Sequence, residues 1–252
     1  MVKGFESFRA WFAGYEDNYT IIGGTACDLI MSDLNQDFRA TRDLDIVLII
    51  EALSPEFGQR FWDYIREAGY EHRSKSNGQP QFYRFSKPAV AGYPAMIELF
   101  SRKLDAIDLP DGSVLTPIPL DEDISSLSAI LLDDNYYDFL KNGKYVLNGV
   151  TILDAHHIIP FKMKAWLDLS DRKDRGEPID SRNIRKHKND VARLSELITT
   201  ETHIVVPSPV FNDIQEFIER VSNEDLDTKS LGLQRGKSEV LKRIKDVYIL
   251  SE

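Results

Sequence analysis

The stretch that decides how this chain is read is YTIIGGTACDLIMSDLNQDFRATRDLDIVLII, residues Tyr19 to Ile50. Thr20-Ile21-Ile22 is a short run of β-branched residues and predicts a buried strand that ends at Gly23-Gly24. Thr25 to Met31 predicts the first turns of a helix, Asp33 to Arg39 a polar loop, and Leu44 to Ile50 the clearest strand in the chain. That strand opens on Asp43-Leu44-Asp45. Side chains alternate along a strand, so two carboxylates separated by one residue emerge on the same face. Like charges held that close repel and require a counter-charge, for which a divalent metal is the usual choice. The glycine pair lets a phosphate approach the backbone closely, and a helix starting at Thr25 would aim its free N–H groups at an anion. Taken alone, the pair is weak evidence and reads first as a tight strand-to-helix turn.

The rest of the chain sets bounds on this reading. At 252 residues, 42% hydrophobic and 29% charged, it has the composition of a globular protein with one large core or two smaller ones. No apolar run approaches the roughly 20 residues that span a bilayer, so no membrane partner is expected. The N-terminus MVKGFESFRAWF has the stripe of an amphipathic helix and lacks the uninterrupted apolar stretch of a secretory signal. Cys27 is the single cysteine, which excludes an intrachain disulfide and leaves a cytoplasmic protein as the simple expectation. A formal net charge of −10 argues against indiscriminate binding of polyanions.

Further elements follow in order. Pro55 opens a helix closed by Gly69, and strands are predicted at Tyr70–Ser74, Gln81–Phe85 and Ala95–Phe100, with Asn77-Gly78 as a turn. Ile124 to Leu140 reads as helical and Tyr145 to Leu153 as a hairpin turning at Asn148-Gly149. Asp154 could cap the next helix, although Pro160 suggests that its regular part begins near there and runs to Arg172; further helices are expected from Asp180 or Ser181 to Leu197, over Val210–Val221 and over Lys237–Ile249. The expected arrangement is an N-terminal α/β domain, 1–110, and a mostly helical domain, 111–252.

Glu98 stands in the apolar run Met96-Ile97-Glu98-Leu99-Phe100, where a charge must face solvent, a partner or a metal. Three carboxylates gathered on one sheet face would suit two Mg²⁺ ions, one activating an attacking hydroxyl and one on a triphosphate. With Gly23-Gly24-Thr25-Ala26 followed by Arg39-Ala40-Thr41-Arg42-Asp43-Leu44-Asp45, the chain resembles the first motif of the DNA polymerase β-like nucleotidyltransferases. More closely, it is similar to the AbiEii/AbiGii group, the toxins of type IV toxin–antitoxin systems. The resemblance implies an α+β fold, with a nucleotidyltransferase-type mixed sheet and a helical domain completing the nucleotide cleft. It places Gly23, Gly24 and Thr25 on the nucleotide and Asp43, Asp45 and Glu98 on metal. The loop before Asp43 is longer than the family's, so contacts from residues 31–40 do not carry over.

Two stretches of the second half extend the likeness. Phe161-Lys162-Met163-Lys164-Ala165 resembles the family's Lys-containing helical motif and implies Lys162, or else Lys164, as the triphosphate ligand. Ile184 to Leu194, IRKHKNDVARL, resembles its basic run before an Asp and implies Asp190 as a catalytic or nucleotide-contacting acid, with Lys186 beside the nucleotide. Lys186, Asp190 and Arg193 fall on one helical face. The activity implied is transfer of a nucleoside monophosphate from an NTP to an acceptor hydroxyl. Family likeness points to a tRNA end or a protein side chain as acceptor and to a cognate antitoxin protein as partner, and residues 162–193 hold ten Lys/Arg against six Asp/Glu. The acidic net charge suits a small cationic acceptor such as an aminoglycoside as well, and a non-catalytic nucleotide-binding or antitoxin-interacting protein is the reading from a different class. His156-His157 project differently and make a poor metal pair.

Overall fold

The computed structural model describes residues 2–71, 82–100, 130–131 and 133–251. They fall into two compact units, Met1–Leu120 with Lys144–Asp154, and Asp121–Gly143 with Ala155–Glu252. The first holds a six-stranded mixed sheet and the second is mostly helical, the α+β arrangement read from the sequence. The second boundary is more involved than a single cut near residue 110. Lys144–Asp154 belongs to the first unit because one of its strands pairs in parallel with the chain's first strand.

In the first unit the elements are α1 (Phe5–Trp11), a 3₁₀ turn (Glu16–Asn18), β1 (Tyr19–Ile22), α2 (Gly23–Asp33), β2 (Asp43–Leu48), α3 (Pro55–Ala68), β3 (Phe82–Ser86), β4 (Met96–Phe100), β5 (Lys144–Leu147) and β6 (Val150–Leu153). The strand order is β3-β4-β2-β1-β6-β5, with β2 parallel to β4 and antiparallel to β1. One face carries Tyr19, Ile46, Leu99 and Phe85 and is covered by aromatic rings of α1 and α3. Phe8 meets Tyr19 at a ring distance of 5.3 Å, Phe61 meets Phe85 at 5.7 Å, and Phe12 meets Tyr64 at 5.3 Å. The backbone carbonyls of Trp11 and Arg60 accept the side chains of Arg60 and Trp11 respectively, locking the two helices together.

The local signals for α3 act as expected. Ser54 caps it by accepting the Phe57 N–H at 3.2 Å, Pro55 fills its first turn, and Gly69 closes it at φ +62°. Asn148 and Gly149 both take positive φ, 51° and 80°, as a type I′ turn requires. Glu71 bridges Ser86, while the rest of the strand expected through Ser74 and the Asn77-Gly78 turn lie outside the described residues, as does 124–129 of the expected Ile124–Leu140 helix.

The second unit contains α4 (Asp134–Asn142), α5 (Ala155–Asp174), α6 (Ser181–Leu194), β7 (Ile204–Val206), α7 (Ser208–Ser222), α8 (Lys237–Val247) and β8 (Tyr248–Leu250). Here α5 starts at Ala155, before Pro160, and takes the proline into its interior. A proline has no N–H to offer the carbonyl four residues back. That carbonyl, of His156, instead accepts the hydroxyl of buried Tyr248 at 2.6 Å. Tyr248 is held there because residues 248–250 leave the helix expected to reach Ile249 and pair in parallel with β7. Similarly, α6 ends at Leu194 rather than Leu197.

Candidate active site

Register builds the site of the sheet unit. Asp45 on β2 lies opposite Glu98 on β4, and Glu98 lies opposite Arg84 on β3. Opposed residues share a face, so Arg84, Glu98 and Asp45 form a row across three strands, continued on β1 by Ile22. Asp43, two residues before Asp45, stands on the same face. It is the face opposite the aromatic layer.

Glu98 is 7% exposed. Arg84 donates to its Oε1 from Nε at 2.9 Å and from Nη2 at 2.7 Å, leaving Oε2 outside that pair. Burial pushes the Glu98 carboxyl up to about 9, and the charge of Asp45, its hydrogen bond with Asp45 and the charge of Asp43 push the same way against Arg84. Burial and these neighbours thus favour the neutral form of Glu98, hydrogen-bonded to Asp45. Asp45 and Glu98 meet directly, while Asp43 acts on Glu98 through its charge. Among the described residues no group of three or more His, Cys, Asp or Glu is drawn together closely enough to hold a metal ion as it stands. The donor chemistry nonetheless fits one: hard carboxylate oxygens crowded against their own repulsion favour a small divalent cation over a proton.

The glycine pair lies within the first turn of α2, rather than before it as read from the sequence. Gly23 has φ +67°, and a methyl group there would stand 1.9 Å from Oδ2 of Asp45. A side chain is therefore excluded twice, by conformation and by the carboxylate packed on the Cα. A methyl on Gly24 would meet Thr41 Oγ1 at 2.8 Å and Arg39 Nη2 at 3.5 Å. Thr25 is buried, and its hydroxyl donates to the Asp43 carbonyl at 2.6 Å, tying α2 to the start of β2. The hydroxyl is thus engaged, which leaves the backbone N–H at the helix N-terminus as the group Thr25 could offer an anion. Gly23, Gly24, Thr25, Asp43, Asp45 and Glu98 are gathered in this one place.

Two residues here were not foreseen. Arg39, in a loop whose contacts sequence reasoning left open, reaches the N-terminus of α2, and Arg84 neutralises part of the carboxylate row. The signal for Arg84 was its place two residues into a strand that pairs with Glu98, visible only once register is known.

The helical unit brings together the other candidates. Lys162 on α5 and Asp190 on α6 form a buried ion pair, Nζ to Oδ2 at 3.1 Å, and Arg193 approaches the other oxygen at 3.8 Å. Asp190 is wholly inaccessible. Lys186, one turn before it, is half-buried. Lys164, the alternative to Lys162, is instead bonded to Asp213 at 2.7 Å, which also accepts the Tyr136 hydroxyl at 2.9 Å. His157 packs against the Phe139 ring at 4.4 Å. No described helix is long and apolar enough to cross a membrane.

No family model matches the chain, and no curated protein does. Among solved structures it is similar to an antigenic nucleotidyltransferase-like protein from Paracoccidioides brasiliensis, with 18% identity over 96% of this chain and 93% of that one and a TM-score of 0.46. It is also similar to an H. pylori protein assigned as a nucleotidyltransferase, with 13% identity, 96% and 95% coverage and a TM-score of 0.38. Likenesses this loose fix neither family nor activity. The functional reading rests on the site itself.

Proposed function

We propose that the chain is a Mg²⁺-dependent nucleotidyltransferase that moves a nucleoside monophosphate from an NTP to an acceptor hydroxyl. The observation that supports this reading is the row of carboxylates on one sheet face, Asp45 opposite Glu98 with Asp43 two residues away, packed against the bare Cα of Gly23. Asp43 and Asp45 would hold the metal, with Glu98 joining them on giving up its proton. When bound, Mg²⁺ supplies positive charge to the triphosphate and lowers the proton affinity of the attacking oxygen.

The chain's own groups do the rest. Backbone N–H groups of Gly24 and Thr25, at the positive end of α2, offer fixed donors to phosphate oxygens without reorganisation. Arg39 adds a guanidinium at the same helix end. Glu98, sharing a proton with Asp45, is a group able to accept one from an acceptor hydroxyl once a cation relieves the repulsion around it. Within the helical unit, Asp190 holds the ammonium of Lys162, the triphosphate ligand that the resemblance implies, in one orientation. Phosphoryl-type chemistry depends mainly on such positioning and electrostatics.

The test is incubation of the protein with each NTP labelled at the α-phosphate, with Mg²⁺ and bulk tRNA as acceptor. Transfer of label that disappears in Asp43→Asn and in Asp45→Asn, each folded by melting curve, supports the reading. Transfer that survives both substitutions, or NTP binding with no transfer to RNA, protein or aminoglycoside acceptors, overturns it. A toxin role with a cognate antitoxin is part of the proposal only if transfer falls on tRNA.

A further inference from the structure

Within the helical unit, α5, α6 and α7 enclose an open groove of about 710 Å³. Ser181, Ile184, Arg185 and Lys188 present one face of α6 to it, at the i, i+3, i+4, i+7 spacing of a helical stripe. Trp166, packed edge-on against Phe217 at 5.2 Å, closes its inner side. The volume lies within the roughly 300–1,000 Å³ typical of small-ligand sites.

The lining of this groove is cationic although the chain as a whole is acidic. Four cations line it, Lys173, Arg185, Lys188 and Arg220, against two carboxylates, Asp174 and Glu224, in a chain whose net charge is −10. Two of the cations are already engaged. Lys188 is bonded to Glu224 Oε2 at 2.6 Å and to the Asp225 carbonyl at 2.8 Å, and Arg220 is held by Asp171 and Glu216, each at 2.5 Å. The other two form no ion pair among the described residues. Lys173 donates only to the Ser181 hydroxyl, although the charge of Asp180 is within reach, and Arg185 has neither an ion pair nor a hydrogen bond among the described residues.

Helix dipoles account for Lys173 and Arg220, which sit in the last turns of α5 and α7 where a cation is favoured. They do not account for Arg185. It lies one turn in from the start of α6, where the dipole gives a cation nothing, and it faces the groove. A guanidinium offers a planar fork of donors that matches phosphate oxygens.

We propose that this groove binds phosphate groups of a ligand, with Arg185 and Lys173 as the contacting cations and the Ser181 hydroxyl as a neutral donor beside them. The phosphates belong either to the backbone of a single-stranded RNA or to a small phosphorylated compound. The site is independent of the carboxylate row and needs neither NTP nor metal.

The experiment uses the whole chain in EDTA with two probes, a fluorescently labelled single-stranded RNA 12-mer read by anisotropy and inorganic pyrophosphate read by calorimetry. At least one probe binds, and Arg185→Ala weakens it about tenfold while the exposed Arg182→Ala, outside the groove, leaves it unchanged. For RNA, losing one phosphate contact also lowers the slope of log K against log salt by about 0.7. Binding of RNA alone identifies a backbone site, and binding of pyrophosphate identifies a small-ligand site. Failure of both probes, or equal binding by wild type, Arg185→Ala and Lys173→Ala, overturns the proposal. Because no nucleotide is transferred, Asp45→Asn binds as wild type does, so failure here is separable from failure of the catalytic reading.

Discussion

Substituting Gly23 by alanine tests the contact between the helix start and the carboxylate row most directly. Two costs are expected. An alanine at φ +67° adopts the left-handed region at roughly 1–2 kcal/mol. Its methyl would also stand 1.9 Å from Asp45 Oδ2, and reaching an ordinary contact of 3.4 Å requires a displacement of about 1.5 Å. The two costs can be separated with Gly14, which has φ +87° and nothing within 4 Å of an added methyl. Gly14→Ala carries conformational strain alone. For a chain of this size each kcal/mol moves the melting temperature by roughly 2–4 °C, so Gly14→Ala melts about 2–8 °C lower. Gly23→Ala melts lower still, because Asp45 must move against Glu98. Misplacement of a catalytic group by about 1 Å costs on the order of a hundredfold in rate. In the labelled-NTP assay, then, Gly23→Ala loses at least that factor in kcat while Gly14→Ala keeps wild-type turnover. Equal melting temperatures for the two variants, with full transfer by Gly23→Ala, would refute the argument that Asp45 is seated on the glycine.

Other consequences can be checked by melting and denaturation. Glu98 holds its proton more tightly folded than unfolded, so its contribution is fully present below its ordinary value of 4.5 and is lost as pH rises to about 9. The metal-free protein therefore loses melting temperature across that window, and Glu98→Gln flattens the profile; an unchanged slope would contradict the buried, Asp45-coupled carboxyl. Lys162→Ala removes the ammonium 3.1 Å from the inaccessible Asp190 carboxylate, and urea unfolding should show a loss toward the lower end of roughly 3–5 kcal/mol, a loss under about 1 kcal/mol speaking against a buried pair. Tyr248→Phe leaves the His156 carbonyl without its hydroxyl donor and costs about 1–3 kcal/mol, whereas no change in the urea midpoint would mean that the proline-containing turn of α5 satisfies itself.

What the sequence disclosed follows from the range of the interactions involved. Asp43 and Asp45 share a face because alternation along one strand is local, and Gly69, Pro55 and Asn148-Gly149 act within a few residues of themselves. Glu98 was identifiable as a charge in an apolar strand, but its partner was not, since Arg84 is chosen by cross-strand register. The same holds for Arg39, which reaches Gly24 across a polar loop with no periodicity to read. The hairpin at Lys144–Asp154 looked like part of the helical half because it lies between helices, and only the parallel pairing of Ile152 with Ile21 assigns it to the sheet. Asp154 as a possible cap agrees with a helix starting at Ala155, whereas Pro160 as the start of its regular part does not, for a related reason. The hydroxyl that relieves its missing bond comes from Tyr248, 92 residues from His156.

The carboxylate row also bears on how the sheet is specified. Because β2 and β4 run parallel, no tight turn between them can set their register. What sets it is the tolerance of each face. A slip of one residue would turn Glu98 onto the face covered by Phe61 and the α1–α3 aromatic layer, where its carboxylate would have no Arg84 and its burial would cost several kcal/mol. Ile97 would then face Asp45, and the cation on β3 would be left opposite an apolar strand. In the observed register each of these conflicts is removed at once, at the expense of crowding Asp43, Asp45 and Glu98. That crowding is the residual strain of a correctly paired sheet, and it is the same property on which the proposed metal site depends. The residues that forbid the wrong pairing are therefore the residues proposed for chemistry. A sheet stabilised by replacing them with apolar side chains would lose both its single register and its site.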